Sequence, residues 1–480
     1  MSISSSYDNY DATDLAELVS SKEVSALELL DATIEKIEEL NPVINAVVHK
    51  FYDKARAQIE AGLPDGPFSG VPFTLKDIGA DYEGTPCWQG SRLFQSHVSR
   101  SNSTLVNRYL SAGLVILGKS STSEFALVGS VENELHGPTR NPWNTDYSSG
   151  GSSGGAAAIV GSRMMPIAHA SDGGGSIRLP SSWCGVFGFK PSRGRSPFGP
   201  KGGEGIGGLS THNCITRSVR DSAALLDVIA GPDVGDPYAA PTPERPFREE
   251  VGAPVGKLRI GIMTSLPDLE ISEDSVAAAE TGARICEALG HSIEPVMLPF
   301  HARPIRQLFR DILAINMDMQ LRNTGAARGR PVTEDEVEPH SWLSAQAGVH
   351  FSGADYLSRI QQLHALGRAF GPYFEKFDVI ITPTTAQPPQ PLGVIGRLGP
   401  DLDAMHEKLM ECFPFTQVYN MSGLPAMSMP LYRTNGGLPI GVQFAAGYGR
   451  DGLLYRLAAQ IEEAAPWAQI QPGVSAPAFS

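Results

Sequence analysis

Two glycine-rich serine clusters, separated by an apolar segment, constrain this chain more than any other feature of its sequence. The first cluster is Gly-Gly-Ser-Ser-Gly-Gly at 150–155, and the second is Gly-Gly-Gly-Ser at 173–176. Glycine lets the main chain approach a ligand closely, so a glycine run that delivers a serine indicates backbone N–H groups gathered around a reacting atom. A flexible Gly/Ser linker is the alternative. The apolar residues 156–160, typical of a buried helical turn, and the Ile-Arg-Leu-Pro sequence at 177–180 favour an active-site frame.

Strand-like and helix-like patterns alternate along the whole chain, and no linker is long enough to divide it. Residues 70–77 form an apolar strand pattern that ends on a lysine, and residues 426–430 and 441–445 flank a glycine turn as a hairpin would. A capping box at 25–28 predicts a helix that stops at Asn41-Pro42. We therefore predict a single α/β domain, with a central mixed β-sheet covered by helices on both faces.

The composition excludes several functional classes. Hydrophobic residues make up 41% of the chain, so a large core can form, while the net charge of −14 makes nucleic acid a poor partner. No apolar run approaches membrane-spanning length, and the polar N-terminal segment shows no secretory signal. The five cysteines are scattered without C-x-x-C spacing, which predicts neither a disulfide framework nor a structural zinc site. We expect a cytoplasmic protein that binds no membrane.

Two motif matches are rejected because of their context. Residues 113–120 fit the phosphate-binding loop pattern, but their four variable positions are Leu-Val-Ile-Leu, which belong to a strand and not to a loop. Residues 150–154 fit the nucleophile elbow of α/β-hydrolases, which would make Ser152 the nucleophile. A polar loop precedes them where that fold needs an apolar strand, and no histidine follows in a recognisable frame.

A serine nucleophile needs a base, and the residues leave more than one candidate. Asp172 lies beside the second cluster. The other possibility is a lysine that burial keeps neutral, since burial can lower a lysine pKa by about 3–5 units. Lys76 ends an apolar strand pattern and is one candidate for such a lysine, but Lys119 and Lys190 also follow apolar segments. The residues alone do not decide among these lysines.

Taken together, the motifs resemble the amidase signature family. The resemblance rests on residues 70–77, 118–121, 140–144, 150–155 and 171–180, and continues through 188–191, 217–221, 382–383, 423–426 and 437–441. It covers nearly the whole chain, and motifs in this order are highly specific. Residues 329–338 with 341–342, and the tail from 447–450 through 465–467, are similar to the 6-aminohexanoate cyclic dimer hydrolases, a subgroup of that family.

The resemblance implies a Ser-Ser-Lys triad. By position in the motifs, Ser176 is similar to the nucleophile, Ser152 to a bridging serine on a cis peptide bond, and Lys76 to the base. The implied reaction is acyl transfer: Ser176 attacks an amide carbonyl, and protons pass through Ser152 to and from neutral Lys76. No metal and no organic cofactor are implied.

The resemblance also assigns the residues around the triad. The oxyanion hole is implied to consist of the backbone N–H groups of Gly173, Gly174, Gly175 and Ser176, and the structural support of Ser153, Asp172 and Arg178. Gly173 stands where the family usually has threonine or isoleucine, which leaves a backbone hole intact but makes the loop more flexible.

The resemblance further divides the single domain of residues 1–480 into regions. These are a helical docking region at 1–60, a core with the triad at 70–225, a variable substrate-pocket region at 231–400, and C-terminal strands and a helix at 410–480. Ala126, Asn316 and the loop 383–395 are candidates to line the pocket, although Asn316 fits a helix surface equally well.

The substrate class follows from one departure within the family pattern. Leu179 stands where amidotransferase A subunits usually carry glutamine, which favours an apolar pocket and a stand-alone amidase. We expect a small hydrophobic or aliphatic amide, linear or cyclic, as substrate and no nucleic-acid or membrane partner. The sequence does not decide whether the chain forms a homodimer. The alternatives are an amidotransferase A-type subunit that releases ammonia from glutamine, a carbamate or ester hydrolase on the same triad, and an inactive binding protein.

Overall fold

The structure, a computed structural model, describes residue 3 and residues 6–396 and 401–473. Strands and helices are numbered in chain order. The strands are β1 Val47–Lys50, β2 Pro72–Lys76, β3 Val115–Ser120, β4 Glu132–Asn133, β5 Gly137–Pro138, β6 Arg140–Asn141, β7 Asn144–Ser148, β8 Ile167–Asp172, β9 Phe187–Lys190, β10 Thr211–Thr216, β11 Arg259–Ile262, β12 Ser292–Pro295, β13 Val379–Pro383, β14 Ala426–Arg433 and β15 Pro439–Ala446. The α-helices are α1 Ala12–Ser20, α2 Ala26–Ile44, α3 Tyr52–Glu60, α4 Thr104–Ser111, α5 Gly154–Gly161, α6 Arg178–Cys184, α7 Val219–Ile229, α8 Glu273–Ala288, α9 Ala302–Arg328, α10 Pro339–Gly348, α11 Gly353–Lys376, α12 Leu402–Cys412, α13 Gln417–Met421 and α14 Asp451–Ala464.

Eight strands form the main sheet, in the order β12-β11-β13-β15-β14-β9-β10-β8. β11 pairs in parallel with β12 and β13, and the other neighbours pair antiparallel, so the sheet is mixed as predicted. A smaller sheet has the order β1-β3-β2, with β2 and β3 parallel. The end of β2 reaches the edge strand β8, where the Lys76 backbone N–H donates to His169 Nδ1 at 3.1 Å.

Helices cover both faces of the main sheet, which confirms the predicted architecture. Along β13, Val379 and Ile381 pack into a core with residues of α7, α8 and α14, whereas Ile380 packs into a second core with residues of α9, α11 and α13. Successive side chains of a strand point to opposite faces, so an apolar residue at every position requires cover on both. Among the described helices, none combines the length and the apolar character needed to cross a membrane.

The N-terminal capping box is present, but the helix that it begins ends later than predicted. Ser25 Oγ accepts from the Glu28 N–H at 3.2 Å, and the Glu28 carboxylate accepts from the Ser25 N–H at 2.8 Å. α2 then continues through Pro42, so the predicted stop was wrong by about one turn. Pro42 lies in the last turn, where its missing N–H removes a single hydrogen bond. The helix ends at Ile44, and the residue that caps it, Asn45, has a left-handed φ of 56°.

The sequence patterns missed the strands that lie next to the glycine clusters. β8, β9 and β10 are buried along almost their whole length, yet β8 reads Ile-Ala-His-Ala-Ser-Asp and β10 reads Thr-His-Asn-Cys-Ile-Thr. Polar side chains in buried strands interrupt the apolar run that marks such strands in a sequence. The predicted buried helical turn at 156–160 is confirmed, since it forms most of α5.

Candidate active site

The strand β2 carries Lys76 to the centre of the site. All five residues of β2 are buried, and the Lys76 side chain is fully enclosed. Its Nζ lies 2.8 Å from Ser152 Oγ and 3.1 Å from Ser171 Oγ. Burial lowers the pKa of Lys76 to about 7, although the negative charge of Asp172 acts in the opposite direction. A large share of this amine is therefore neutral near pH 7 and can accept a proton from Ser152.

The two other lysines that the sequence left open make different contacts. Lys119 Nζ donates to the carbonyl of Ala80 at 3.0 Å, and Lys190 Nζ donates to the carbonyl of Pro191 at 2.8 Å. Burial, followed by the charge of Arg178, lowers the pKa of Lys190 to about 7 as well, so a low pKa does not single out one lysine. Of the three, Lys76 is the one whose amine contacts a hydroxyl of the first glycine cluster.

The first cluster is joined to the second by Ser153. The peptide bond between Gly151 and Ser152 is cis, and Ser153 follows as the N-cap of α5. Ser153 Oγ donates to the carbonyl of Ser171 at 3.1 Å, and its backbone N–H donates to the carbonyl of Ser176 at 3.2 Å. These contacts hold the segments of Ser152 and Ser176 next to each other. They are the kind of contacts expected of Ser153 as a supporting residue.

A buried ion pair shapes the loop that carries Ser176. The Asp172 carboxylate accepts from the backbone N–H groups of Gly175 at 2.7 Å and Ile177 at 3.1 Å. Arg178 donates to both carboxylate oxygens at 3.0 Å, and both side chains are fully buried. Burial is the largest single effect and alone would raise the pKa of Asp172. The charge and hydrogen bonds of Arg178, the charge of Lys190 and a hydrogen bond from Asn420 together outweigh it and hold that pKa well below its usual value. Asp172 is thus an ionised acceptor, and the alternative of Asp172 as base is disfavoured.

The same arginine ties this loop to the rest of the fold. Arg178 Nη1 donates to Gln443 Oε1 of β15 at 2.8 Å, and its Nη2 donates to Asn420 Oδ1 of α13 at 2.6 Å. On the loop itself, Gly175 has φ = +133°, and a Cβ added there would lie 2.4 Å from Thr416 Oγ1. Only glycine fits at this position, because a side chain would be both strained and in collision.

The four N–H groups predicted for an oxyanion hole differ in their surroundings. That of Gly175 already donates to Asp172, so the groups left for an oxyanion are those of Gly173, Gly174 and Ser176. A Cβ added to Gly174 would lie 2.4 Å from the Phe309 ring, so this ring packs directly on the loop backbone.

Two cavities adjoin beside the serine clusters, and the smaller one is the one that Ser152 and Ser176 line. A small cavity of about 60 Å³ is lined by Ser152, Ser176 and Arg306. Its remaining wall is Ala126, Leu127, Val128, Gly129, Gly151, Ser171, Gly173, Gly174, Leu179, Ile206, Ser210, Phe309, Leu313, Leu409, Phe413 and Gln417. A larger cavity of about 420 Å³ shares Ala126 and Ser171 with the small one and extends to Asn316. The structure therefore places both predicted pocket residues, Ala126 and Asn316, on cavity walls.

The third pocket candidate, the loop 383–395, lies outside both cavities. It packs on the far side of the first cluster, where the carbonyl of Gln390 accepts from the Ser148 N–H at 2.9 Å. The carbonyl of Gln387 likewise accepts from the Trp183 indole at 3.3 Å. The loop was a wrong candidate, because its backbone is used to hold β7 and α6.

Residues that the sequence analysis overlooked surround Lys76. His169 and Ser171 are two residues apart on β8 and so point to the same face, towards Lys76. His169 Nε2 lies 3.2 Å from His212 Nδ1 of β10. Burial is the main cause that lowers the pKa of both rings, to about 3 for His212, so both are neutral near pH 7. The spacing of His169 and Ser171 was the available signal, but it becomes informative only once β8 is known to be a strand.

Comparisons with known proteins find amidases that match nearly the whole chain. The amidase family model matches residues 28–455. A 6-aminohexanoate-cyclic-dimer hydrolase of Pseudomonas sp. (strain NK87) is 38% identical over 478 residues, which cover 96% of each chain. A solved structure of 6-aminohexanoate cyclic dimer hydrolase superposes with a TM-score of 0.92 at 36% identity, covering 97% of this chain and 98% of that one. A bacterial aryl acylamidase superposes with a TM-score of 0.87 at 28% identity, covering 96% and 97% of the two chains.

Proposed function

The chain belongs to the amidase family and hydrolyses amide C–N bonds other than peptide bonds, and we propose that it does so with a Ser-Ser-Lys triad through an acyl-enzyme. The observation that carries this proposal is the 2.8 Å contact between Lys76 Nζ and Ser152 Oγ, beside a cavity that Ser176 also lines. A nucleophile and its proton acceptors need hydrogen-bond reach of one another and of the substrate.

In the proposed first step, Ser176 Oγ attacks the amide carbonyl carbon. Ser152 Oγ takes the proton from Ser176 as its own proton passes to the neutral amine of Lys76. Burial supports this direction of transfer, because it lowers the pKa of Lys76 to about 7. The negative charge that develops on the carbonyl oxygen is stabilised by the N–H groups of Gly173, Gly174 and Ser176. The loss of one such donor typically costs about 100- to 1000-fold in rate.

In the second step, the tetrahedral intermediate collapses. The C–N bond breaks, and the proton returns from Lys76 through Ser152 to the leaving nitrogen, which departs as an amine. An ester of Ser176 remains. Water then loses a proton along the same path, attacks that ester and releases the carboxylic acid, which restores Ser176. Ser171 Oγ, 3.1 Å from Lys76 Nζ, keeps the amine in place through both proton transfers.

The walls of the small cavity support an aliphatic acyl group. They are largely apolar, with Leu127, Leu179, Phe309, Leu313 and Phe413 facing the serines. The side chain of Leu179 cannot form a hydrogen bond with the polar groups of a glutamine substrate, which argues against the amidotransferase alternative. We therefore favour a stand-alone hydrolase of small linear or cyclic amides.

Active-site labelling followed by a substrate panel tests the proposal. A fluorophosphonate should form an adduct on Ser176, mapped by peptide mass spectrometry, and Ser176→Ala should remain unlabelled and inactive. Ser210→Ala, which removes another hydroxyl from the same cavities, should still be labelled. An adduct on Ser152 with none on Ser176 would overturn the assignment of roles.

The panel consists of aliphatic amides, anilides, esters, carbamates and glutamine, each incubated with the purified chain alone. Turnover of aliphatic amides is expected. Glutaminase activity that appears only with a partner protein would instead support the amidotransferase alternative, and unchanged turnover by Ser176→Ala would refute the triad.

A further inference from the structure

We propose that the small cavity selects acyl groups that end in a carboxylate, and that Arg306 binds this carboxylate. The inference rests on the proposed function, because the acyl group is the part of the substrate that becomes bonded to Ser176, and Ser176 lines this cavity and not the larger one. The substrates would be monoamides of short dicarboxylic acids.

Arg306 is a buried wall residue of the small cavity. It lies near the start of α9 and is 7% exposed. Its Nη2 lies 2.8 Å from Nδ1 of His406, a residue of α12 that does not itself line the cavity. Its Nε is buried and has no hydrogen-bond partner within the described part of the chain. Burying a polar group without a partner is unfavourable, so the guanidinium of this cavity-lining residue is left short of hydrogen-bond acceptors.

The charge of Arg306 is also unpaired, in contrast to its neighbours. Arg303 and Arg310 flank it on α9 and form surface ion pairs with α12, Arg303 with Glu407 at 2.8 Å and Arg310 with Asp403 at 2.7 Å. No carboxylate among the described residues lies within ion-pair distance of Arg306. Burial, with the nearby charge of Arg310, lowers the pKa of Arg306 to about 10, which leaves the guanidinium charged at neutral pH. A buried charge without a counter-ion favours the binding of an anion.

The neighbouring histidine supplies a second donor of the same kind. Burial, followed by the charge of Arg306, lowers the pKa of His406 to about 2, so the ring is neutral. Its Nδ1 accepts from Arg306, which places the ring proton on Nε2. That Nε2 is buried and also lacks a partner among the described residues. Arg306 and the neutral His406 therefore form a hydrogen-bonded pair in which each residue keeps an unused donor, and the single positive charge is that of Arg306.

The position of Arg306 suits the far end of a short acyl chain. The Arg306 guanidinium carbon lies 5.7 Å from the centre of the Phe309 ring, and the same ring packs on Gly174 of the nucleophile loop. One aromatic ring thus separates the guanidinium from the proposed oxyanion site. An aliphatic chain along the apolar wall can place its carbonyl at Ser176 and a terminal carboxylate at Arg306. The planar guanidinium matches a carboxylate in a bidentate arrangement.

Matched anilides test this selectivity. The probes are the mono-p-nitroanilides of succinic, glutaric and adipic acids, each compared with the neutral p-nitroanilide of equal chain length, from butyric, pentanoic or hexanoic acid. The wild-type enzyme should have a kcat/KM at least about tenfold higher for the best acid than for its neutral counterpart, as expected for a hydrogen bond to a charged group. Arg306→Met should lower that ratio to about 1. Arg303→Met, which removes a paired arginine from the same helix, should keep the wild-type ratio.

A merely structural role for Arg306 would lower the rates of both substrates together and leave their ratio unchanged, which would overturn the proposal. A wild-type ratio at or below 1 would also overturn it, while hydrolysis of the neutral anilides would leave the proposed triad standing. A preference for 4-(pentanoylamino)benzoate, which carries its carboxylate on the amine side, would place the anion elsewhere and refute the assignment.

Binding of the dicarboxylates themselves gives a readout that does not depend on turnover. Titration calorimetry should detect succinate, glutarate or adipate binding to the wild type, to Ser176→Ala and to Arg303→Met, and at least about tenfold weaker binding to Arg306→Met. Equal binding by Arg306→Met, or no binding by the wild type, would refute the carboxylate site even if the amidase reaction is confirmed.

Discussion

Replacing Lys76 by methionine should inactivate the enzyme and yet make it more stable at neutral pH. Methionine has a similar length and no charge, so it fills the space of Lys76 in the buried end of β2. Burial lowers the pKa of Lys76 from 10.5 to about 7. Each unit of such a shift corresponds to about 1.4 kcal/mol. At pH 7 the buried lysine therefore costs the folded state about 4 kcal/mol, and Lys76→Met removes that cost.

The substitution also removes two hydrogen bonds, from Nζ to Ser152 and to Ser171. At about 1 kcal/mol each, their loss leaves a net gain of about 2 kcal/mol at pH 7.

The sign of the pH dependence follows from linkage. Because the pKa is lower in the folded protein, the unfolded chain binds more protons between pH 7 and 10.5, and wild-type stability rises with pH in that window. At pH 9.5 the cost of burying Lys76 has fallen to about 1 kcal/mol, so the advantage of Lys76→Met should disappear. The variant's gain should thus fall by about 3 kcal/mol between the two pH values. The hydrogen-bond correction does not enter this difference.

Differential scanning calorimetry measures the effect. For a chain of 480 residues, about 1 kcal/mol of stability shifts Tm by about 1 °C. Lys76→Met should melt about 2 °C above the wild type at pH 7 and no higher than the wild type at pH 9.5. Lys257→Met, at an exposed position, should show no such change with pH. A Tm difference for Lys76→Met that is the same at both pH values would refute a buried lysine whose pKa is about 7.

Three further predictions concern the same frame. The kcat/KM of the wild type for a neutral amide should rise with pH through about 7 and level off above it, because Lys76 must lose its proton to act as base. Initial rates measured from pH 5 to 9 test this, and a kcat/KM that falls with rising pH would contradict it. Asp172→Asn should lower stability by about 3–5 kcal/mol, seen as a lower Tm, because it leaves the buried charge of Arg178 without its partner, and an unchanged Tm would show that the pair is dispensable. Gly175→Ala should reduce kcat by about 100-fold or more, because the Cβ of the new alanine would collide with Thr416 and displace the proposed oxyanion donors. A wild-type kcat in this variant would show that those donors lie elsewhere.

Much of the architecture could be predicted because it depends on patterns among residues that are close in the sequence. The capping box at Ser25 and the strand pattern that ends on Lys76 depend on neighbouring residues alone, and both are present. The glycine clusters predicted an active-site frame, which stays a prediction; in the structure Ser153 connects the two clusters by hydrogen bonds. The stop at Pro42 was wrong because a proline in the last turn is compatible with helix. The roles assigned to the three triad residues stay predictions.

The cavity walls could not be predicted, because they depend on contacts between distant segments. Arg306 and His406 are 100 residues apart and meet only after α9 and α12 pack on each other. The rings of His169 and His212 meet because β8 and β10 are neighbouring antiparallel strands. The sequence pattern of neither strand reveals the register in which the two strands pair. Long-range strand pairing and helix packing are set by the whole fold, so single-sequence patterns carry little information about them.

The way in which Arg178 binds the nucleophile loop to Gln443 and Asn420 bears on how such an enzyme changes its substrate. The loop that carries Ser176 is bound through Arg178 to the main sheet and to α13, whereas α9 and α12, which form one wall of the small cavity, are joined by exposed ion pairs. Apart from Phe309, which packs on Gly174, residues of that wall should be replaceable without displacing the loop that carries Ser176. Evolution and engineering should therefore find new specificities mostly on α9 and α12, while residues 150–180 tolerate almost no change.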